Sequence, residues 1–212
     1  MSATTHIAEG RARSRRARGA RGFTLVEVMM SLTVLTIGML GIISLQRNTV
    51  VANAQAQQMT VATNIGRVWI GRLQADASLW NHPSAFNAAS DLKTDTKFLT
   101  NYGIGWFLPT DPTNQYSYAF SQSGKDIDPT SPALATDTIY CVNVRLTQLY
   151  ADPLLTTVPS MLRAEVRVYW LKKPGAIATC SGAGGSLSAL ETDDVTYHWV
   201  YSVGAIAKAT AQ

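Results

Sequence analysis

Glu27 lies inside a run that is otherwise without charge, "FTLVEVMMSLTVLTIGMLGIISL", from Phe23 to Leu45. In a hydrocarbon setting such a carboxylate costs a few kcal/mol unless a cation partners it. The cation can be made four residues upstream. A peptidase cutting between Gly22 and Phe23 creates a new amine at Phe23, positive near neutral pH, and Gly22, lacking a side chain, lets the scissile bond approach the protease closely. Within one helix the amine and Glu27 sit one turn apart, at i and i+4. Between parallel helices staggered along their axes, the amine of one can meet the carboxylate of the other. A misaligned neighbour would leave a charge unpaired at low dielectric, so the pair specifies register. Proteolysis that arms helices for lateral assembly is the chemistry these residues predict.

The positioning element is a helix. At about 1.5 Å per residue the apolar run is about 34 Å long, enough for a hydrocarbon core of about 30 Å. Residues 1–22 carry six arginines (Arg11, Arg13, Arg15, Arg16, Arg18 and Arg21) against Glu9, and nothing to bury, so they are expected to lack fixed structure. Those arginines favour a cytoplasmic start, which puts about 160 C-terminal residues across the membrane. From Phe23 onward there are 12 Lys/Arg and 13 Asp/Glu, so the pI near 9.2 belongs to the leader, and the remainder lacks the clustered cations of a nucleic-acid binder.

Helical spacing continues past Leu45, with Val51, Ala54, Ala62, Ile65, Trp69 and Leu73 on one face and no proline before Pro83. One helix is therefore predicted over 23–79, apolar all round in 23–45 and one-sided in 46–79, with Gly38 and Gly41 as soft points. Residues 80–114 read as an irregular connection. Four strands follow, in "QYSYAFSQ", "DTIYCVNVRL", "MLRAEVRVYWL" and "VTYHWVYSV". The third sets Leu162, Ala164, Val166, Val168 and Trp170 against Arg163, Glu165 and Arg167. The fourth sets Val195, Tyr197, Trp199, Tyr201 and Val203 against Thr196, His198 and Ser202. Such alternation predicts an antiparallel sheet with one face covered, the amphipathic half-helix being the nearest cover. The expected organisation is α+β: leader 1–22, helix 23–79, globular head 80–212.

Other leaders explain less. Ala52-Asn53-Ala54 has the form of a signal-peptidase site, which would release a soluble secreted domain, but it lies nine residues beyond an apolar run already too long for a signal peptide. The twin arginines of "SRRARGA" are separated from the run by further arginines, and a plain anchor leaves Glu27 unexplained. Cys141 and Cys180 permit one bridge or two separate buried thiols. Asp126 with Asp128, and Glu191 with Asp193 and Asp194, have no calcium-loop pattern. His82 and His198 lack companions at ligand spacing. No catalytic set, metal site or cofactor is expected, and "SGAGGS" lacks the lysine and helix of a phosphate loop. The tryptophans and tyrosines read as core and sheet-packing residues.

"RGFTLVEVMMSLTVLTIGMLGIISLQ" resembles the N-terminus of type IV pilins and of type II secretion pseudopilins, and "IGMLGIISLQ" is similar to the minor pilins called PilV. The resemblance implies the type IV pilin fold, cleavage after Gly22 by the prepilin peptidase, N-methylation at Phe23 and assembly through Glu27. It implies an inner-membrane precursor with a periplasmic head, then a place in the pilus fibre. Its partners would be other minor pilins and the major pilin through the N-terminal helix, with no nucleic acid or small-molecule substrate. The implied function is priming of pilus assembly at the tip, and hence adhesion or motility. The leader is longer than is usual in this group, and the helix lacks a mid-helix proline. Major pilins usually bridge two cysteines near the C-terminus, whereas Cys180 leaves 32 residues beyond it.

Overall fold

A computed structural model describes residues 22–81, 92, 95–128, 130–131, 134–151, 159–181 and 187–207. The leader before Gly22, and with it the expectation of a segment without fixed structure, lies outside the described residues, as does His82.

Helix α1 runs from Leu25 to Ala77, 53 residues rich in Ala, Gln, Leu and Met and free of proline. Its hydroxyls are satisfied within the helix: Ser31, Thr33, Thr36, Thr49, Thr60 and Thr63 donate to carbonyls three or four residues back. Past Ala77 the chain tightens into a 3-10 turn, Ser78–Asn81, two residues before Pro83.

The chain divides into two compact units, Met1–Val51 and Ala52–Gln212. In the first, every described residue is exposed, including Leu25, Met30, Val34, Ile37, Leu40 and Leu45. The apolar stretch near the N-terminus has a mean hydropathy of 2.2, and by length and composition this helix can cross a membrane.

The second unit is a helix on a sheet. Strands β1 (Trp106–Phe107), β2 (Ala119–Phe120), β3 (Tyr140–Ala151), β4 (Pro159–Leu171) and β5 (Tyr197–Ala207) form one antiparallel sheet in the order β1-β3-β4-β5, with β2 also on β3. Ala62, Ile65, Trp69 and Leu73 of α1 enter one core with Val142, Val144, Leu146, Leu162, Ala164, Val166, Val168, Trp170 and Ile206. Small residues let helix and strand approach closely. A Cβ at Gly66 would stand 2.4 Å from Ser202 Oγ, and one at Gly204 would stand 3.1 Å from Ile70 Cγ2.

The α+β expectation holds, as do the long apolar N-terminal helix and the antiparallel sheet. Three details differ. Of "QYSYAFSQ" only Ala119 and Phe120 are strand, because Gln115 is left-handed (φ 56°) and the chain turns back at Gly124 to bridge Phe120 with Asp126. The connection 80–114 contains β1 and two 3-10 turns, Leu99–Asn101 and Pro112–Asn114. Most informatively, the sheet is not covered on one face alone. Ala119, Ile127, Cys141, Tyr169, Ile177, Cys180 and Leu190 form a second core on its outer side. Ile177, Cys180 and Leu190, which follow β4, lie there, and Cys180 is bonded to Cys141 of β3. In β5 the aromatic face lies on this outer side, while His198, Val200, Ser202 and Ile206 oppose the helix-facing Trp170, Val168, Val166 and Leu162. Val195 lies outside the strand and is exposed.

Candidate functional site

Gly22, Phe23 and Thr24 precede α1 and are exposed. Thr24 starts the helix: its Oγ1 accepts from the Glu27 N–H at 3.3 Å, and its carbonyl accepts from Val28 N at 3.2 Å. Thr24-Leu25-Val26-Glu27 thus has the spacing of a capping box, which is legible in the sequence. Only the threonine half is made. Among the described residues the Glu27 carboxylate has no polar partner, while the Glu27 carbonyl accepts from Ser31 Oγ at 2.7 Å. A carboxylate in a first helical turn gains about 0.3–1 kcal/mol from the helix dipole. Placing it within a membrane costs about 2.5–3.5 kcal/mol. The helix alone therefore does not account for Glu27, and its carboxylate stands available to an external cation.

Gly38 and Gly41 leave α1 unbroken, and a Cβ at either would touch nothing within 4 Å. Packing inside this chain does not require them, although each costs about 1 kcal/mol of helix propensity relative to alanine.

In the head, Cys141 and Cys180 are bonded, Sγ–Sγ 2.03 Å, and the Tyr169 hydroxyl donates to the Cys180 carbonyl. Burial drives the Tyr169 pKa well above its ordinary value. Four of the five acids weighed as calcium ligands have other partners. Asp126 makes a two-pronged contact with Arg72 (2.9 and 2.7 Å) and accepts from Ser117 N. Asp128 caps Thr130, Asp193 accepts from Thr196 N, and Glu191 accepts from Trp106 Nε1. Among the described residues no three His, Cys, Asp or Glu side chains converge on a possible metal position. His198 lies against the Trp170 ring, centroids 5.6 Å apart.

Two head features escaped the sequence reading. Asp76, near the end of α1, is buried and accepts the N–H groups of Lys97, Phe98 and Leu99 at 2.9, 2.8 and 3.0 Å. Arg72 lies over the ring of Tyr116, its Cζ 4.1 Å from the centroid, while it holds Asp126. An acid and a cation at the end of a helix carry no sequence mark of such long-range partners.

Residues 17–43 match the family model of the prokaryotic N-terminal methylation motif. No curated protein and no solved structure matches the chain. The motif spans Gly22, Phe23 and Glu27 and, with a long apolar N-terminal helix followed by an antiparallel sheet, supports a type IV pilin-like protein.

Proposed function

We propose that the chain is the precursor of a PilV-like minor pilin, a structural subunit of a type IV pilus without catalysis of its own. The prepilin peptidase removes residues 1–22, and Phe23 is methylated on its new amine. The subunit waits in the inner membrane with its head in the periplasm, then enters the fibre through the apolar half of α1. There Glu27 pairs with the Phe23 amine of a neighbouring pilin, and Gly38 and Gly41 supply flexible points in the helix. Within the pilus it contributes to the priming complex at the tip, and so to adhesion or motility.

The observation that carries this reading is the Glu27 carboxylate, without a polar partner among the described residues, one turn after a Gly22–Phe23 junction and inside the apolar N-terminal part of α1, which is exposed as far as Val51. Glu27→Val tests it. The variant is expected to be processed after Gly22 yet to lose co-purification with other pilins from the membrane. A processed variant that co-assembles as well as the parent contradicts the pairing. Type II secretion pseudopilins share the same N-terminal signature. Deletion of the gene separates the two systems: the proposal predicts loss of piliation with secretion intact.

A further inference from the structure

The outer face of the sheet holds an arrangement that the N-terminal reading does not use. Across it, Trp106 is opposite Arg145, Arg145 opposite Glu165, and Glu165 opposite Val203; in the next row Asn143, Arg167 and Tyr201 are in register. The Trp106 ring crosses these rows. It lies 4.5 Å from Arg145 Cζ and 4.3 Å from Arg167 Cζ, and its centroid is 6.1 Å from that of Tyr201.

Arg167 is only 1% exposed. One of its nitrogens donates to Asn143 Oδ1 and to the Leu187 carbonyl, but among the described residues Nε and the other terminal nitrogen find no hydrogen-bond partner. That terminal nitrogen faces Glu191 Oε1 at 3.5 Å, and the same oxygen accepts from Trp106 Nε1 at 3.0 Å. The Glu191 side chain is 42% exposed and ends a three-residue 3-10 turn. A buried guanidinium with unused donors is costly, and a carboxylate seated squarely on it would remove that cost. Glu191 does so only in part.

We propose that Trp106, Arg145 and Arg167 form a carboxylate-binding site for an acidic, extended segment of a partner protein, with Glu191 as the chain's own replaceable occupant. Charge favours an acidic partner: Arg145 and Arg163 share the single carboxylate of Glu165, at 2.6 and 2.7 Å, so among the described residues guanidinium groups outnumber carboxylates on this face. The neighbouring strand favours a peptide. Among the described residues β5 pairs only with β4, and its outer side chains Tyr201 and Val203 are 44% and 57% exposed. A segment entering at that free edge and crossing the outer face would cover those side chains and bring a carboxylate to Trp106 and Arg167.

The test uses the full-length chain in detergent micelles and is independent of cleavage at Gly22. The probe is a fluorescein-labelled pentapeptide alternating valine and glutamate, followed by anisotropy; its valine–lysine counterpart is the control. If Glu191 fills the site about nine-tenths of the time, Glu191→Gln binds the acidic peptide about tenfold more tightly than the parent. Arg167→Met loses that binding. Arg145→Gln, at a half-exposed position, weakens it severalfold and serves if the Arg167 variant does not fold. Unchanged or weaker binding by Glu191→Gln, no binding by either protein, or equal binding of the lysine peptide overturns the proposal. Sodium alginate that competes as well as unlabelled peptide at equal carboxylate concentration also overturns it, in favour of an acidic polysaccharide.

Discussion

Replacing Asp76 by alanine removes the one acceptor shared by three consecutive backbone N–H groups, those of Lys97, Phe98 and Leu99. The Lys97 contact is partly open to water, so its N–H can be rehydrated. The Phe98 and Leu99 contacts are buried, and Leu99 itself is inaccessible. At about 1–3 kcal/mol for each buried donor left unsatisfied, the two sum to about 2–6 kcal/mol, and about 4 is the working expectation. That is a large share of the 5–15 kcal/mol typical of a domain. Asp76→Asn should cost less, about 2 kcal/mol, because the amide oxygen still accepts while its NH2 gains no acceptor. Urea titration of the full chain in detergent, followed by tryptophan fluorescence, reads the change through Trp69 and Trp80, both fully buried in the same core. A shift below 1 kcal/mol for Asp76→Ala would refute the assignment of Asp76 as the tie between the end of α1 and the 97–99 turn.

Removing the disulfide with Cys141→Ala and Cys180→Ala should lower stability by about 4 kcal/mol, from the loop-closure entropy of a 39-residue separation; denaturant midpoints with and without reductant check this. Gly66→Ala should destabilise by about 1 kcal/mol, since the clash with Ser202 exceeds the gain in helix propensity, and adding Ser202→Gly should recover part of the loss in a double-mutant cycle. Gly71→Ala, where a Cβ meets nothing within 4 Å, should instead stabilise by up to about 1 kcal/mol. Burial first, and then the charge of Lys172, depress the His198 pKa below its ordinary 6.5. The unfolded chain therefore takes up the proton first, so this residue's contribution is present above about pH 6.5 and is lost as pH falls through the folded value. His198→Asn should flatten the stability profile in that window, measured as urea midpoints between about pH 5 and pH 7.5. Asp111 acts lower still. Burial raises its pKa, but hydrogen bonds from Lys97 and Asn114 outweigh this and hold it below 3.8.

Periodicity made the helix and the two long central strands legible. Ala62, Ile65, Trp69 and Leu73 face Val166 and Val168 because a 3.6-residue stripe and a 2-residue alternation each leave one apolar face to bury. The same rule misled at β5. Tyr197, Trp199, Tyr201 and Val203 are the more apolar set, yet the helix lies over Ser202 and Gly204, where small side chains admit its backbone. Close approach is a property of two elements together, and one strand's alternation does not encode it. The buried Arg167 was hidden for a related reason. Its polar face reads as solvent-facing until Leu187 and Glu191 close over it. At the N-terminus, Gly22, Phe23 and Glu27 were conspicuous because a carboxylate in an apolar run demands a partner. The cap made by Thr24 is equally written in the spacing, where the charge of Glu27 is the stronger signal.

Intact-mass analysis of the mature chain from its native membrane tests the central claim most directly. The account predicts a polypeptide beginning at Phe23 and carrying one added methyl group. A chain beginning near Gln55, or one retaining the leader arginines, would contradict it.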